Sequence, residues 1–299
     1  MRNSVSIHSR RYWSFLSSRV RAYIALLKVR LTLLVAISAG FGYTLAAGES
    51  FSWLFFAAIS LGGFLITGAS NVLNQVFEKE YDAKMQRTAS RPVPTEKVNQ
   101  TEAIIYALFL CVVGMWLIGY FFNLPAALLG IIGLLSYAFV YTPMKRHSPF
   151  AVFVGAIPGA LPPLIGWVAV TGAIDRAGLI LFAFQFFWQF PHFWAIAWLA
   201  DADYRKAGFR LLPSGEGKGS SSSRLILIYA MILLPLLILP LHTGMLNQLG
   251  LIGLGMIGVL YALPAWRLHN SQEDKHAKQL LFASFFYLPI MQLIFLVCH

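Results

Sequence analysis

Three oxygen-bearing side chains, Asn74, Glu78 and Asp82, recur at every fourth residue of NQVFEKEYD, where a long apolar run gives way to charge. On a helix each step of four turns the side chain by about 40° and climbs about 6 Å, so the three form one polar stripe. Two carboxylates and an amide at the end of a span can hold a hard divalent cation. Mg2+ prefers oxygen ligands and usually takes one or two carboxylates together with substrate phosphates. The plainer reading is a solvated helix end with i, i+4 pairs such as Glu80 with Lys84. Charged groups near membrane depth are costly and tend to be functional, which favours a site. Arg87 and Arg91 follow in RTASRP, again four apart. Their guanidinium forks suit bidentate contact with phosphate, although alone they would serve membrane topology or lipid headgroups equally well.

Other charges fall in comparable places. Lys145 and Arg146, in YTPMKRHSP, and Lys28 and Arg30 each flank the end of an apolar run. Asp201 and Asp203 close the run QFPHFWAIAWLADADYRKAG, with Arg205 and Lys206 after them. An i, i+2 pair does not share a helix face, so a frayed helix end is implied there. His192 lies two turns or more inside the same run. A lone histidine in a span more often hydrogen-bonds a neighbouring helix than acts as a ligand or acid–base group. Two carboxylate sets on different helices, facing a basic rim, suggest a site for Mg2+ and a diphosphate. Metal and cations would stabilise charge on a departing diphosphate. Aromatic faces would stabilise the allylic cation left behind. Prenyl transfer to a second lipophilic substrate uses all of these parts.

The elements that must position these residues are membrane helices. Of 299 residues 58% are hydrophobic and only 12% charged, about half the charge of a soluble domain. Nine apolar segments reach span length, at about 25–47, 51–77, 102–122, 125–142, 150–171, 177–200, 225–243, 246–266 and 279–297. The fold class expected is therefore an all-α membrane protein with nine transmembrane helices in a single bundle, residues 25–299, preceded by a basic segment, 1–24. Alternating loops test the count. One face collects 22 of the 23 Lys and Arg, leaving only Arg176 on the other. The positive-inside rule makes that face cytoplasmic, with the N-terminus inside and the C-terminus outside. The same distribution attributes the net charge of +11 to topology rather than to a nucleic-acid partner. Cys111 and Cys298 lie in apolar segments and form no ligand or disulfide pattern. No cleavable signal follows the basic N-terminus, and SGEGKGSSSS, 214–223, reads as a flexible linker.

NQVFEKEYDAKMQRTASRPVP resembles the first acidic motif of the intramembrane aromatic prenyltransferase superfamily, an all-helical nine-span fold. With the RT-x-x-RP ending, YTPMKRHSP and PHFWAIAWLADADYRKAGFRLLP, the chain is similar, from about Lys28 to Pro213, to the protohaem IX farnesyltransferases (haem O synthases) within it. The resemblance implies farnesylation of a protohaem IX (haem B) vinyl group, with water addition, from farnesyl diphosphate. Mg2+ is then the metal, the lipid bilayer the setting, the inner membrane the location and a haem A synthase a candidate partner. Carried over by position, Asn74, Glu78 and Asp82 form the first metal–diphosphate set and Asp201 with Asp203 the second. Arg87, Arg91, Lys145, Arg146 and Lys28 hold the diphosphate, and His192 belongs to the haem-side pocket, with a catalytic part in the vinyl chemistry. The family pattern usually has Asp where this chain has Glu78, and often at Glu80; glutamate keeps the charge and reaches one methylene further.

Rival readings place the same charges differently. A relative in the superfamily would prenylate a quinone precursor or a chlorophyllide, which PHFW and DY-x-x-AG disfavour. A cation-coupled transporter would put its polar residues near the bilayer midplane on broken helices, whereas these lie at span ends on one side. A structural subunit has no use for two acidic sets opposite basic rims.

Overall fold

The computed structural model describes residues 18–214 and 216–299, and all regular structure among them is helical. Among these residues nine helices are long and apolar enough to cross a membrane. We number them α1 (Val29–Ala47), α2 (Trp53–Phe77), α3 (Gln100–Phe121), α4 (Leu124–Met144), α5 (Ala151–Thr171), α6 (Arg176–Leu199), α7 (Ser220–Thr243), α8 (Gln248–Ser271) and α9 (Asp274–Val297). At 1.5 Å per residue each covers roughly 30 Å, the thickness of a bilayer core. Their outward faces carry bare apolar side chains such as Phe109, Met256 and Phe282, as lipid contact requires.

Consecutive helices pack side by side, and α9 closes the arrangement against α6 and α1. One apolar core lies among α1–α5, and a second joins α6–α9 to α1 and α5. In a membrane, close packing rather than water exclusion holds helices together, and it favours small residues at the crossing. Helices α1 and α5 meet backbone to backbone: a Cβ on Gly42 would sit 2.0 Å from the Pro163 carbonyl oxygen, and one on Gly166 1.9 Å from that of Ala39. The prolines inside α5 remove helical donors, and Pro163 frees the carbonyl of Gly159. The Gln185 amide of α6 donates to that carbonyl at 2.8 Å, and Gln189 donates to the Ala156 carbonyl at 2.7 Å. Gln185, buried in the bilayer, thus supplies a hydrogen bond that the proline-rich helix lacks, and Gln189 adds a second tie between α5 and α6.

Several expected boundaries shift, each because hydropathy marks the bilayer and not the helix end. The first segment is not one helix from residue 25: residues 18–26 form a separate helix that ends in a turn at Leu27–Lys28. Residues 1–17 of the expected basic segment lie outside the described ones. Helices α8 and α9 run past their apolar parts, leaving only Gln272 and Glu273 between them. The expected linker 214–223 is instead partly helix: Ser220–Ser223 are the first turn of α7, and Ser222 and Ser223 are buried. Serine hydroxyls explain this, since Ser222 donates to the Gly217 carbonyl and Ser223 to that of Ser220. The frayed end expected at Asp201 is a kink at Ala200 followed by a short helix, Asp201–Lys206.

Candidate active site at the charged end of the bundle

Helix α2 ends at Phe77, but its hydrogen-bond ladder continues through a kink at Glu78 into a short helix, Lys79–Asp82. The Glu78 N–H reaches the Asn74 carbonyl at 3.0 Å and the Asp82 N–H reaches that of Glu78 at 2.7 Å. The stripe survives the kink, and it is buried: Asn74 is 2% exposed, Glu78 3% and Asp82 0%.

Each member of the stripe has a cation from elsewhere in the chain. Lys145 Nζ, beyond the end of α4, lies 2.5 Å from Glu78 Oε1, and Arg91 Nη1 lies 2.7 Å from Asp82 Oδ2. Lys28 Nζ donates to Asn74 Oδ1 at 3.3 Å. Arg146 donates to the Phe77 carbonyl at 2.8 Å and covers the ring of Tyr81. Burial pushes the Asp82 carboxyl above the usual carboxylate range, against the pull of Arg91. Burial alone would lower the Lys145 pKa, but the Glu78 carboxylate overrides it and holds that ammonium above the ordinary lysine value. The Glu80–Lys84 pair of the plainer reading is not formed; Lys84 lies over the Tyr81 ring.

Lys28 owes its position to α2. It occupies the left-handed region, with φ 51°, which few non-glycine residues adopt without support. Gln75 Nε2 donates to the Leu26 carbonyl at 2.8 Å, and Asn71 Nδ2 to Thr32 Oγ1 at 3.0 Å. These side chains satisfy the turn that aims Lys28 at Asn74. Polar residues in the second half of α2, at positions 71 and 75, were the sequence signal for this role.

The second carboxylate set meets the first through the loop after Asp82. Asp203 Oδ1 accepts from the Gln86 N–H at 3.1 Å, and Arg87 lies 4.5 Å over the Tyr204 ring while donating to its hydroxyl. That loop is anchored on both sides, contributing Met85 to one core and Val93 and Val98 to the other. Asp201 turns away from it, pairing with Arg205 at 2.9 Å, and Arg205 also holds the Glu216 carbonyl. His192 is not brought to the charged set. Its Nδ1 lies 2.7 Å from Ser284 Oγ on α9, and its ring packs on Trp188, Phe193 and Phe285.

The donor set fits a hard divalent cation. Asp82 Oδ1 is fully buried with no hydrogen-bond partner, although an unpaired buried carboxylate oxygen is costly. Asn74, Glu78 and Asp82 all offer oxygen, and the surrounding lysines and arginines suit a polyanion rather than a second cation. No cluster of three or more His, Cys, Asp or Glu side chains occurs among the described residues, so a metal here would need oxygens from an amide and a phosphate as well.

Residues 33–288 match the model of the UbiA prenyltransferase family. The chain belongs to the UbiA prenyltransferase family. Among its relatives, a protoheme IX farnesyltransferase of Cytophaga hutchinsonii is 43% identical over 94% of this chain and 99% of that protein. Another, from Solibacter usitatus, is 37% identical over 91% and 96%. Solved structures share the fold. A chain from a study of digeranylgeranylglyceryl phosphate synthase has a TM-score of 0.77 at 21% identity, covering 94% of this chain and 98% of that one. A UbiA homologue from Archaeoglobus fulgidus, bound to GPP and Mg2+, gives 0.63 at 16%, covering 92% and 99%. The protein is thus an integral-membrane prenyltransferase of the UbiA fold.

Proposed function

We propose that the protein transfers a farnesyl group from farnesyl diphosphate to a vinyl group of protohaem IX, with addition of water, to give haem O. The acceptor reading rests on relatives named for that activity along nearly the whole chain. The reaction class rests on one observation, the buried Asn74–Glu78–Asp82 stripe with its unpaired Asp82 oxygen beneath a rim of cations. The C–O bond of the allylic diphosphate breaks and diphosphate leaves with the electron pair. The vinyl terminus forms a C–C bond to the farnesyl C1, and water adds to the inner vinyl carbon with loss of a proton. Mg2+ held by Asn74, Glu78 and Asp82, with Asp203 across the loop, would supply charge neutralisation to the diphosphate. Arg87, Arg91, Lys145 and Arg146 would orient the leaving group and stabilise its growing charge. The charge asymmetry of the loops supports a cytoplasmic location for this end, in the inner membrane, and a haem A synthase is the proposed consumer of the product.

The direct test is product analysis. Purified protein given farnesyl diphosphate, Mg2+ and haem B is expected to yield haem O; prenylation of 4-hydroxybenzoate with haem untouched would sink the acceptor assignment.

Lys28 gives a pH signature. Burial, with the positive charges of Arg91 and Lys145 beside it, lowers its pKa from 10.5 to about 7. A bound diphosphate favours the charged ammonium and raises that pKa, so above pH 7 binding takes up a proton. Farnesyl diphosphate affinity is therefore expected to fall between pH 7 and 9. Lys28→Arg stays charged throughout and should flatten that slope in a binding titration; an unchanged slope would remove Lys28 from the site.

A further inference from the structure

Helix α4 is irregular where it passes the stripe: residues Ser136–Tyr141 are π-helical, a distortion that often accompanies functional positions. The segment ends at Thr142, which is fully buried. The Thr142 hydroxyl donates its single proton to the Tyr137 carbonyl at 2.9 Å. Its oxygen can then only accept, and it accepts from Asn74 Nδ2 at 3.1 Å. An asparagine amide can otherwise turn either end towards a neighbour. Here the NH2 end is committed to Thr142, and Oδ1 is left on the side of Lys28, from which it accepts at 3.3 Å.

We infer that Thr142 is a positioning residue that locks the Asn74 side chain with its carbonyl oxygen presented to the cation side of the site. A hydroxyl at 142 with its proton free would let the amide flip and offer NH2, which repels a metal ion. The π-helical register serves this purpose, because it sets the Tyr137 carbonyl beside the Thr142 side chain. The inference rests on the proposed metal role of Asn74 and adds the residue that makes an amide serviceable in that role.

The test measures Mn2+, as a stand-in for Mg2+, binding to the full-length protein with farnesyl thiodiphosphate present, by loss of the free-ion electron paramagnetic resonance signal. Thr142→Val should raise the half-saturating Mn2+ concentration roughly tenfold, as loss of a ligand-orienting hydrogen bond does. Thr142→Ser should stay within about twofold of the wild type, and Thr142→Val should add nothing to Asn74→Ala. Wild-type binding in Thr142→Val beside weakened binding in Asn74→Ala would overturn the positioning role and leave the metal assignment standing. Unchanged binding in Asn74→Ala would overturn the metal assignment itself. Weakening in Thr142→Ser equal to that in Thr142→Val would assign the effect to packing and not to the hydroxyl. Where Thr142→Val does not fold, Thr142→Ala reports the same loss.

Discussion

Asp82→Asn is expected to lower turnover by about 10^3-fold or more, while the protein still inserts and folds. Asparagine keeps the size and one oxygen of the side chain but removes the charge, at a fully buried position. In a water-poor site an electrostatic contact to a developing charge is worth several kcal/mol; a 10^3-fold loss corresponds to about 4 kcal/mol. The folding effect is small by comparison, because no buried charge is stranded. Arg91, the partner, remains partly exposed and keeps its hydration. Turnover by the purified variant, with helix content and unfolding temperature measured alongside, makes the check. Activity within tenfold of the wild type would remove Asp82 from the reaction.

Lys145→Met is expected to damage both stability and activity. Lys145 and Glu78 are both nearly inaccessible, and their side chains form the most buried ion pair among the described residues. Removing one member strands a charge, which typically costs about 3–5 kcal/mol. Adding Glu78→Gln to Lys145→Met removes that stranded charge and should recover much of the lost stability. Activity should not return, because the pair's second task, holding metal and diphosphate, is lost with both charges. Unfolding temperatures of the wild type, the two single variants and the double variant give the coupling energy. Additive losses would show that the two residues do not act as a pair.

The boundaries of the site were less legible than its chemistry. The stripe Asn74, Glu78, Asp82 could be read from a four-residue spacing because helical geometry is local. The cations that meet it could not be assigned, since Arg91 lies nine residues from Asp82 but Lys145 lies beyond the end of α4, and both look like ordinary loop charges. Asp201 and Asp203 read as one set, yet the structure sends Asp201 to Arg205 and Asp203 to the Gln86 N–H. Both lie on the short helix Asp201–Lys206, where residues two apart do not share a face, so a regular helical turn in place of the expected frayed end sends them in different directions. Thr142 sits within YTPMKRHSP, but nothing in its type or spacing marked a role until the helix beside it presented Asn74.

Hydropathy and residue spacing alone were enough to read the nine spans, the face on which nearly all the basic residues gather and the kind of chemistry that face could perform. Those properties follow from the cost of placing charge in hydrocarbon and from the 3.6-residue period, both of which act within about 20 consecutive residues. Tertiary structure alone decided which carboxylate meets which cation, how Gln75 and Asn71 hold the Lys28 turn, and that His192 faces Ser284. Side chains that meet across helices are set by packing between segments far apart in the chain, and their identity is then fixed by hydrogen-bond satisfaction in a medium that offers no water.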